Sequence, residues 1–166
     1  LINFNIVNET SVTVEAPDVM KYYKGPERFV VTVKDYAGNP INNATVKINI
    51  NGVNYTRTTG TDGQTSVALG IPAGNYTATV IYDDIKTESN VVIKSTVSGN
   101  NITKIFRNAT QYYATFVDTN GNLLTNTTVE FNINGILYKR TTNDQGVAKM
   151  NINLNPGEYI ITATKS

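Results

Sequence analysis

Apolar and polar residues alternate along this chain with a period of two. Phe29, Val31 and Val33 are separated by Val30 and Thr32, and Val46, Ile48 and Ile50 by Lys47 and Asn49. Val129, Phe131 and Ile133 repeat the second of these patterns. Successive side chains of a strand point to opposite faces, so such alternation marks half-buried strands, and Val, Ile, Thr and Tyr suit a pleated surface. No stretch sustains a helical stripe. The pattern predicts strands near 10–15, 19–23, 28–35, 45–50, 53–59, 65–69, 76–82 and 89–95, then near 102–106, 111–117, 128–133, 136–142, 147–152 and 159–164.

Turn residues punctuate these runs. Asn51-Gly52 and Asn134-Gly135 each sit between two alternating segments. That is a strong hairpin signal, because both central residues of the tight turn need positive φ. Asp62-Gly63, Pro72-Ala73-Gly74 and Asn155-Pro156-Gly157 close other connections. Gly-x-Tyr at 74–76 and at 157–159 opens a late strand after a turn and has the form of a tyrosine corner.

The chain is also internally repeated. Residues 45–59, TVKININGVNYTRTT, return as 128–142, TVEFNINGILYKRTT, a shift of 83 in a chain of 166. Between 20–82 and 103–165 the same shift gives 20 identities in 63 ungapped positions. Units this long are complete small domains rather than turns of a solenoid. About seven short strands at this spacing are the signature of an antiparallel sandwich, and the two copies carry eight and six. The fold class expected is all-β, with two tandem Ig-like antiparallel β-sandwich domains at 1–96 and 97–166. Residues 1–8 read as the last strand of a preceding repeat, and the second domain reads as lacking its own last strand. Ser95–Gly99 reads as a brief junction.

The order of motifs resembles the bacterial Ig-like repeats of the invasin and intimin class. It runs Val33-Lys34-Asp35-x-x-Gly38-Asn39-Pro40, Ala44-Thr45-Val46, Thr58-Thr59 with Asp62-Gly63, and Pro72-Ala73-Gly74-Asn75-Tyr76. The second copy matches through Asp118-Thr119-Asn120-Gly121-Asn122, Asn143-Asp144-Gln145-Gly146 and Pro156-Gly157-Glu158-Tyr159. Lys21-Tyr22-Tyr23-Lys24 and Gln111-Tyr112-Tyr113-Ala114, in an Asn- and Thr-rich setting, are similar to adhesin-like surface proteins of methanogenic archaea. The resemblance implies an extracellular, cell-surface array of non-enzymatic modules, serving as stalk, spacer or adhesion domain. Its partners would be a surface glycan or protein on another cell and neighbouring repeats of the same chain. A carbohydrate-binding module is the alternative.

Composition narrows the chemistry. With 14 Lys+Arg against 13 Asp+Glu the net charge is +1, so there is no polybasic tract to bind nucleic acid or an anionic membrane. No apolar run approaches the length of a membrane span. The absence of Cys and His removes disulfides, thiolate chemistry, the commonest general base and the commonest transition-metal ligand. No cofactor and no catalytic residue is expected. For calcium, Asp83-Asp84 with Glu88 and Asp18 is the candidate grouping; it lacks the ordered spacing of a calcium loop, so no metal is expected.

Two covalent possibilities remain. Seven Asn-x-Ser/Thr sequons begin at Asn8, Asn43, Asn54, Asn75, Asn101, Asn108 and Asn126, against about four by chance, so an exported chain would offer several glycan acceptors. A Cys-free module under tension could also be stapled by a Lys–Asn isopeptide bond. Such a bond needs a buried neutral amine and a protonated carboxyl beside the amide. Lys21 and Asn90 are the candidate pair, with Asp35 or Glu88 as the acid; the competing expectation is that Lys21 is a solvated charge at a strand edge. The paired tyrosines, Tyr22-Tyr23 and Tyr112-Tyr113, place one ring of each pair outward on a strand.

Overall fold

The fold was taken from a computed structural model, which describes residues 11–99 and 111–165. The chain divides into two compact units, Leu1–Lys94 and Ser95–Ser166. Among the described residues no helix is long and apolar enough to cross a membrane.

The first unit contains β1 (Val12–Glu15), β2 (Val19–Tyr22), β3 (Arg28–Asp35), β4 (Thr45–Ile50), β5 (Val53–Thr58), β6 (Gln64–Ala68), β7 (Gly74–Tyr82) and β8 (Ile85–Lys94). They form a three-stranded sheet, β1-β3-β6, and a five-stranded sheet, β2-β8-β7-β4-β5. Each strand buries its apolar set: Phe29, Val31 and Val33 from β3, Val46, Ile48 and Ile50 from β4, Ala78 and Val80 from β7, and Val91 and Ile93 from β8. Together they make the core of an Ig-like sandwich. Full burial of a side chain of this size contributes roughly 1.5–3 kcal/mol, so the alternation seen in the sequence is the main stabilising feature. All pairings are antiparallel except that of β2 with β8, which is parallel and runs from Val19↔Val91 to Tyr22↔Lys94.

The second unit contains β9 (Val97–Gly99), β10 (Gln111–Phe116), β11 (Thr128–Ile133), β12 (Ile136–Thr141), β13 (Val147–Asn151) and β14 (Ile161–Lys165). Its sheets are β13-β10-β9 and β12-β11-β14, around a core of Ala114, Phe116, Val129, Phe131, Ile133, Ala148 and Met150. Phe131 meets both Phe116 and Tyr112 edge to face, with ring centroids 6.1 and 6.0 Å apart.

Two expectations are corrected here. Ser95–Gly99 is not simply a junction, because Val97–Gly99 pairs with Ala114–Phe116 and begins the second unit. Val97 stands 83 residues after Val14 of β1 and pairs with Phe116 as Val14 does with Val33; a three-residue strand is too short to show alternation. The last described strand also starts at Ile161 rather than near 159. In the first unit, Gly74–Thr77 is held in its ladder by Ile93–Asn90 of β8. Among the described residues β14 pairs with β11 alone, so 157–160 has no equivalent ladder. The predicted strand near 102–106 lies outside the described residues.

The turn chemistry is used as the sequence indicates. Asn51-Gly52 and Asn134-Gly135 take φ of 54° and 74°, and of 53° and 82°, joining β4 to β5 and β11 to β12. Gly63 and Gly146, at φ of 72° and 71°, face a tighter constraint. A Cβ there would lie 2.7 Å from the Val33 carbonyl oxygen in one unit and 2.8 Å from that of Phe116 in the other. The Gly63 and Gly146 carbonyls accept from the Val33 and Phe116 amides at 2.8 Å, so each glycine seals its loop onto the adjacent strand.

Candidate functional site

The residues singled out by sequence serve mainly as structural devices, repeated in both units. Asp35 Oδ1 accepts from the amides of Ala37 and Asn39, each at 2.9 Å, and Asp118 Oδ1 accepts from those of Asn120 at 2.8 Å and Asn122 at 2.9 Å. The Asn122 amide above all, opposed by slight desolvation and helped by the Asn120 amide, holds the Asp118 carboxyl below the ordinary aspartate value. Both aspartates therefore organise turns. Buried Thr59 and Thr142 bridge the corresponding loops: the Ala44 and Thr127 amides donate to their hydroxyls at 2.9 Å, and the hydroxyls donate onward to the Ile41 and Thr127 carbonyls. Tyr76 and Tyr159 form tyrosine corners, donating to the carbonyls of Pro72 at 2.7 Å and Asn155 at 2.9 Å.

Lys21 is the one charged side chain buried among the described residues, at 2% exposure, so it is not a solvated strand-edge charge. It faces inward because Met20 and Tyr22 occupy the other face of β2, and its ammonium donates to the Leu69 carbonyl at 3.0 Å. Asn90 does not join it. In the parallel register Lys21 lies beside Ile93, and Asn90 is exposed on the face opposite Ser89 and Val91. Glu88 is exposed and 3.8 Å from Lys86, while Asp35 is committed to its turn. The four side chains considered for a staple are thus not brought together.

Asn43, Asn54, Asn75 and Asn126 are exposed; Asn8, Asn101 and Asn108 lie outside the described residues. Asp83-Asp84 forms the turn between β7 and β8, with Asp83 at φ 55°, and Asp18 accepts from the Asn90 amide at 2.8 Å. Among the described residues no three Asp or Glu side chains converge on a point.

The outward faces of the two units differ. On the second, a groove of about 480 Å³ opens beside β10, β12 and β13, lined by Gln111, Tyr113, Arg140, Asn143, Lys149 and Asn151 among others. The cross-strand register sets Gln111 opposite Asn151 and Tyr113 opposite Lys149. Gln111 Nε2 donates to Asn151 Oδ1 at 2.6 Å, and the Tyr113 hydroxyl donates to Gln111 Oε1 at 3.2 Å. Tyr113 is 55% exposed. At the equivalent first-unit positions stand Arg28, Val30, Ser66 and Ala68, and there Arg28 Nε donates to Ser66 Oγ at 2.9 Å. The sequence marked one ring of the Tyr112-Tyr113 pair as outward, without saying which, and did not reveal Lys149, Asn151 or Arg140 as neighbours of Tyr113. A signal was present at Tyr113, Lys149 and Asn151, which diverge from Val30, Ser66 and Ala68 of an otherwise similar copy; Arg140 carries none, since Arg57 repeats it.

No protein family model matches the chain, and no curated protein matches it. Several solved structures are similar to the chain. One is a Ca2+-stabilized adhesin that helps an Antarctic bacterium bind ice, with 20% identity over 94% of this chain and 48% of that one, at a TM-score of 0.32. Another is the I9–I11 tandem of titin, with 12% identity over 84% and 55%, at 0.48. A third is the surface layer protein SbsC, domains 4–9, with 16% identity over 95% and 29%, at 0.38. The chain thus spans between 29% and 55% of these structures.

Proposed function

We propose that this chain is a non-enzymatic, extracellular module of a cell-surface, adhesin-like protein, in which tandem Ig-like units act as a tension-bearing stalk or adhesion domain. The motif order similar to invasin and intimin repeats, and the Asn- and Thr-rich texture similar to archaeal surface proteins, belong to this reading, as do glycans on the exposed sequons. The observation that carries it is the parallel pairing of β2 with β8, extended by the Tyr23 amide donating to the Lys94 carbonyl at 2.8 Å. One strand lies near the start of the unit and the other ends it. Tension between those ends loads the pairing in shear, so its hydrogen bonds must fail together rather than one at a time.

Single-molecule pulling on the full chain tests this. The first unit should give a distinct high-force event, and Tyr23→Pro, which removes one donor of the sheared set, should lower that force. If neither unit resists above the level of simple unzipping, or the proline variant is unchanged, the stalk reading fails.

A further inference from the structure

The groove on the second unit has features that neither the repeat frame nor the stalk reading uses. Its residues come from β10, β12, β13 and the β12–β13 loop; the four paired positions on β10 and β13 differ in kind from those of the first unit, while Arg140 repeats Arg57. Arg28–Ser66 closes the first unit's face on itself, whereas Tyr113 and Lys149 present a ring and a cation to solvent. The ion pairs among the described residues, Lys34–Glu15 and Lys86–Glu88, both belong to the first unit. Arg140 and Lys149 therefore line the groove without a carboxylate partner among the described residues, although Arg140 stacks over Tyr138 at 5.8 Å and donates to the Lys139 carbonyl. A concave surface of this volume, with one exposed aromatic and several converging polar groups, is suited to a small ligand.

The chemistry selects the class. A flat, solvent-facing phenol offers an apolar surface to the C–H face of a pyranose ring. The Gln111–Asn151 hydrogen bond occupies one amide donor and one acceptor, leaving the Asn151 N–H groups, with those of the Asn143 side chain, for sugar hydroxyls. Asn143 Oδ1 is already occupied by the Gln145 and Val147 amides, which orients that side chain. The two cations call for an anionic substituent, and Arg in particular suits a carboxylate. We infer that this groove binds an acidic saccharide, with a uronic-acid pyranose stacked on Tyr113 and its carboxylate directed to Lys149 and Arg140. The inference does not depend on the stalk reading.

The test is a titration of the isotope-labelled full chain, followed residue by residue by NMR, with trigalacturonate, the matched neutral trisaccharide, inorganic sulfate and an oligoglutamate peptide. Trigalacturonate should give saturable shifts centred on Gln111, Tyr113 and Lys149, with the neutral sugar binding about tenfold more weakly, the equivalent of one charge-assisted hydrogen bond. Tyr113→Ala and Lys149→Gln should each weaken trigalacturonate by about tenfold, and Lys149→Gln should narrow the gap to the neutral sugar. Ser66→Ala, at the equivalent place in the first unit, should change nothing. Unchanged shifts elsewhere confirm that each variant is folded. Sulfate or oligoglutamate binding as tightly as trigalacturonate would overturn the assignment to a sugar. So would a full-strength Tyr113→Ala variant, or shifts that do not saturate.

Discussion

Ala78 and Val80 on β7 have 0% exposure, whereas the residues at the same places in the second unit, Ile161 and Ala163 on β14, are only half-buried. Leu69 and Ile152 repeat the contrast, and Tyr76, half-buried in its corner, corresponds to a Tyr159 that is 40% exposed. The residues of the second unit are no less apolar. What differs is the company: β7 has β8 along its free side, bringing Val91 and Ile93 into the core, and β8 in turn carries β2. Among the described residues β14 has no neighbour there. Burial of a strand face is therefore a property of the sheet that surrounds it, not of the strand.

The strongest way to break this comparison is to give the second unit what the first has. Repeating residues 83–95 after Lys165 supplies a hairpin and a β8-like strand in register with β14. It should stabilise the second unit by about 3 kcal/mol or more, the value of burying two branched side chains. Hydrogen exchange at Phe131, together with new protection at Ile161 and Ala163, reads this out. An unchanged exchange rate would mean that a covering strand beside β14 is not what limits the unit.

A smaller effect probes what the units share. Gly63→Ala and Gly146→Ala should each cost about 2–3 kcal/mol in urea unfolding, because both place a side chain at positive φ against a backbone carbonyl. Gly63→Ala should be the worse of the two. Its Cβ would also meet Pro40 Cβ at 2.8 Å, whereas the second nearest atom to Gly146 is Leu123 Cβ at 3.3 Å. Equal costs would show that the neighbouring side chains yield freely.

The smallest effect concerns acid. Since the folded carboxyl of Asp118 titrates below its ordinary value of 3.8, its stabilising contribution is complete above that pH. The contribution is lost as pH falls through the lower folded value. Asp118→Asn should therefore lower the second-unit melting temperature slightly at neutral pH, and the gap to the parent protein should close as pH falls below about 4, so the acid-induced drop is shallower in the variant. Identical acid profiles would remove Asp118 from the pH response.

Much of the frame was legible because it depends on local rules. Asn-Gly between alternating runs allows few conformations, and Gly-x-Tyr after a turn puts a hydroxyl within reach of the carbonyl four residues back. Lys21 shows where local rules stop. A lysine on a four-residue strand reads as solvated, yet the parallel register with β8 turns it inward to the Leu69 carbonyl. The same register separates it from Asn90, which no count along the chain could reveal. The groove was illegible for a related reason, since Tyr113 and Lys149 become neighbours only through the pairing of β10 with β13.

The sequence by itself determined the strand period, the hairpins, the tyrosine corners and the duplication of one sandwich unit. Each of these rests on backbone geometry or side-chain alternation within a few residues. Only the tertiary structure decided which apolar strands are fully covered, which way Lys21 points, and that one unit carries a cationic aromatic groove where the other has a closed polar pair. Those outcomes depend on the register between strands distant in the chain. A shift of one residue in that register moves every side chain to the opposite face.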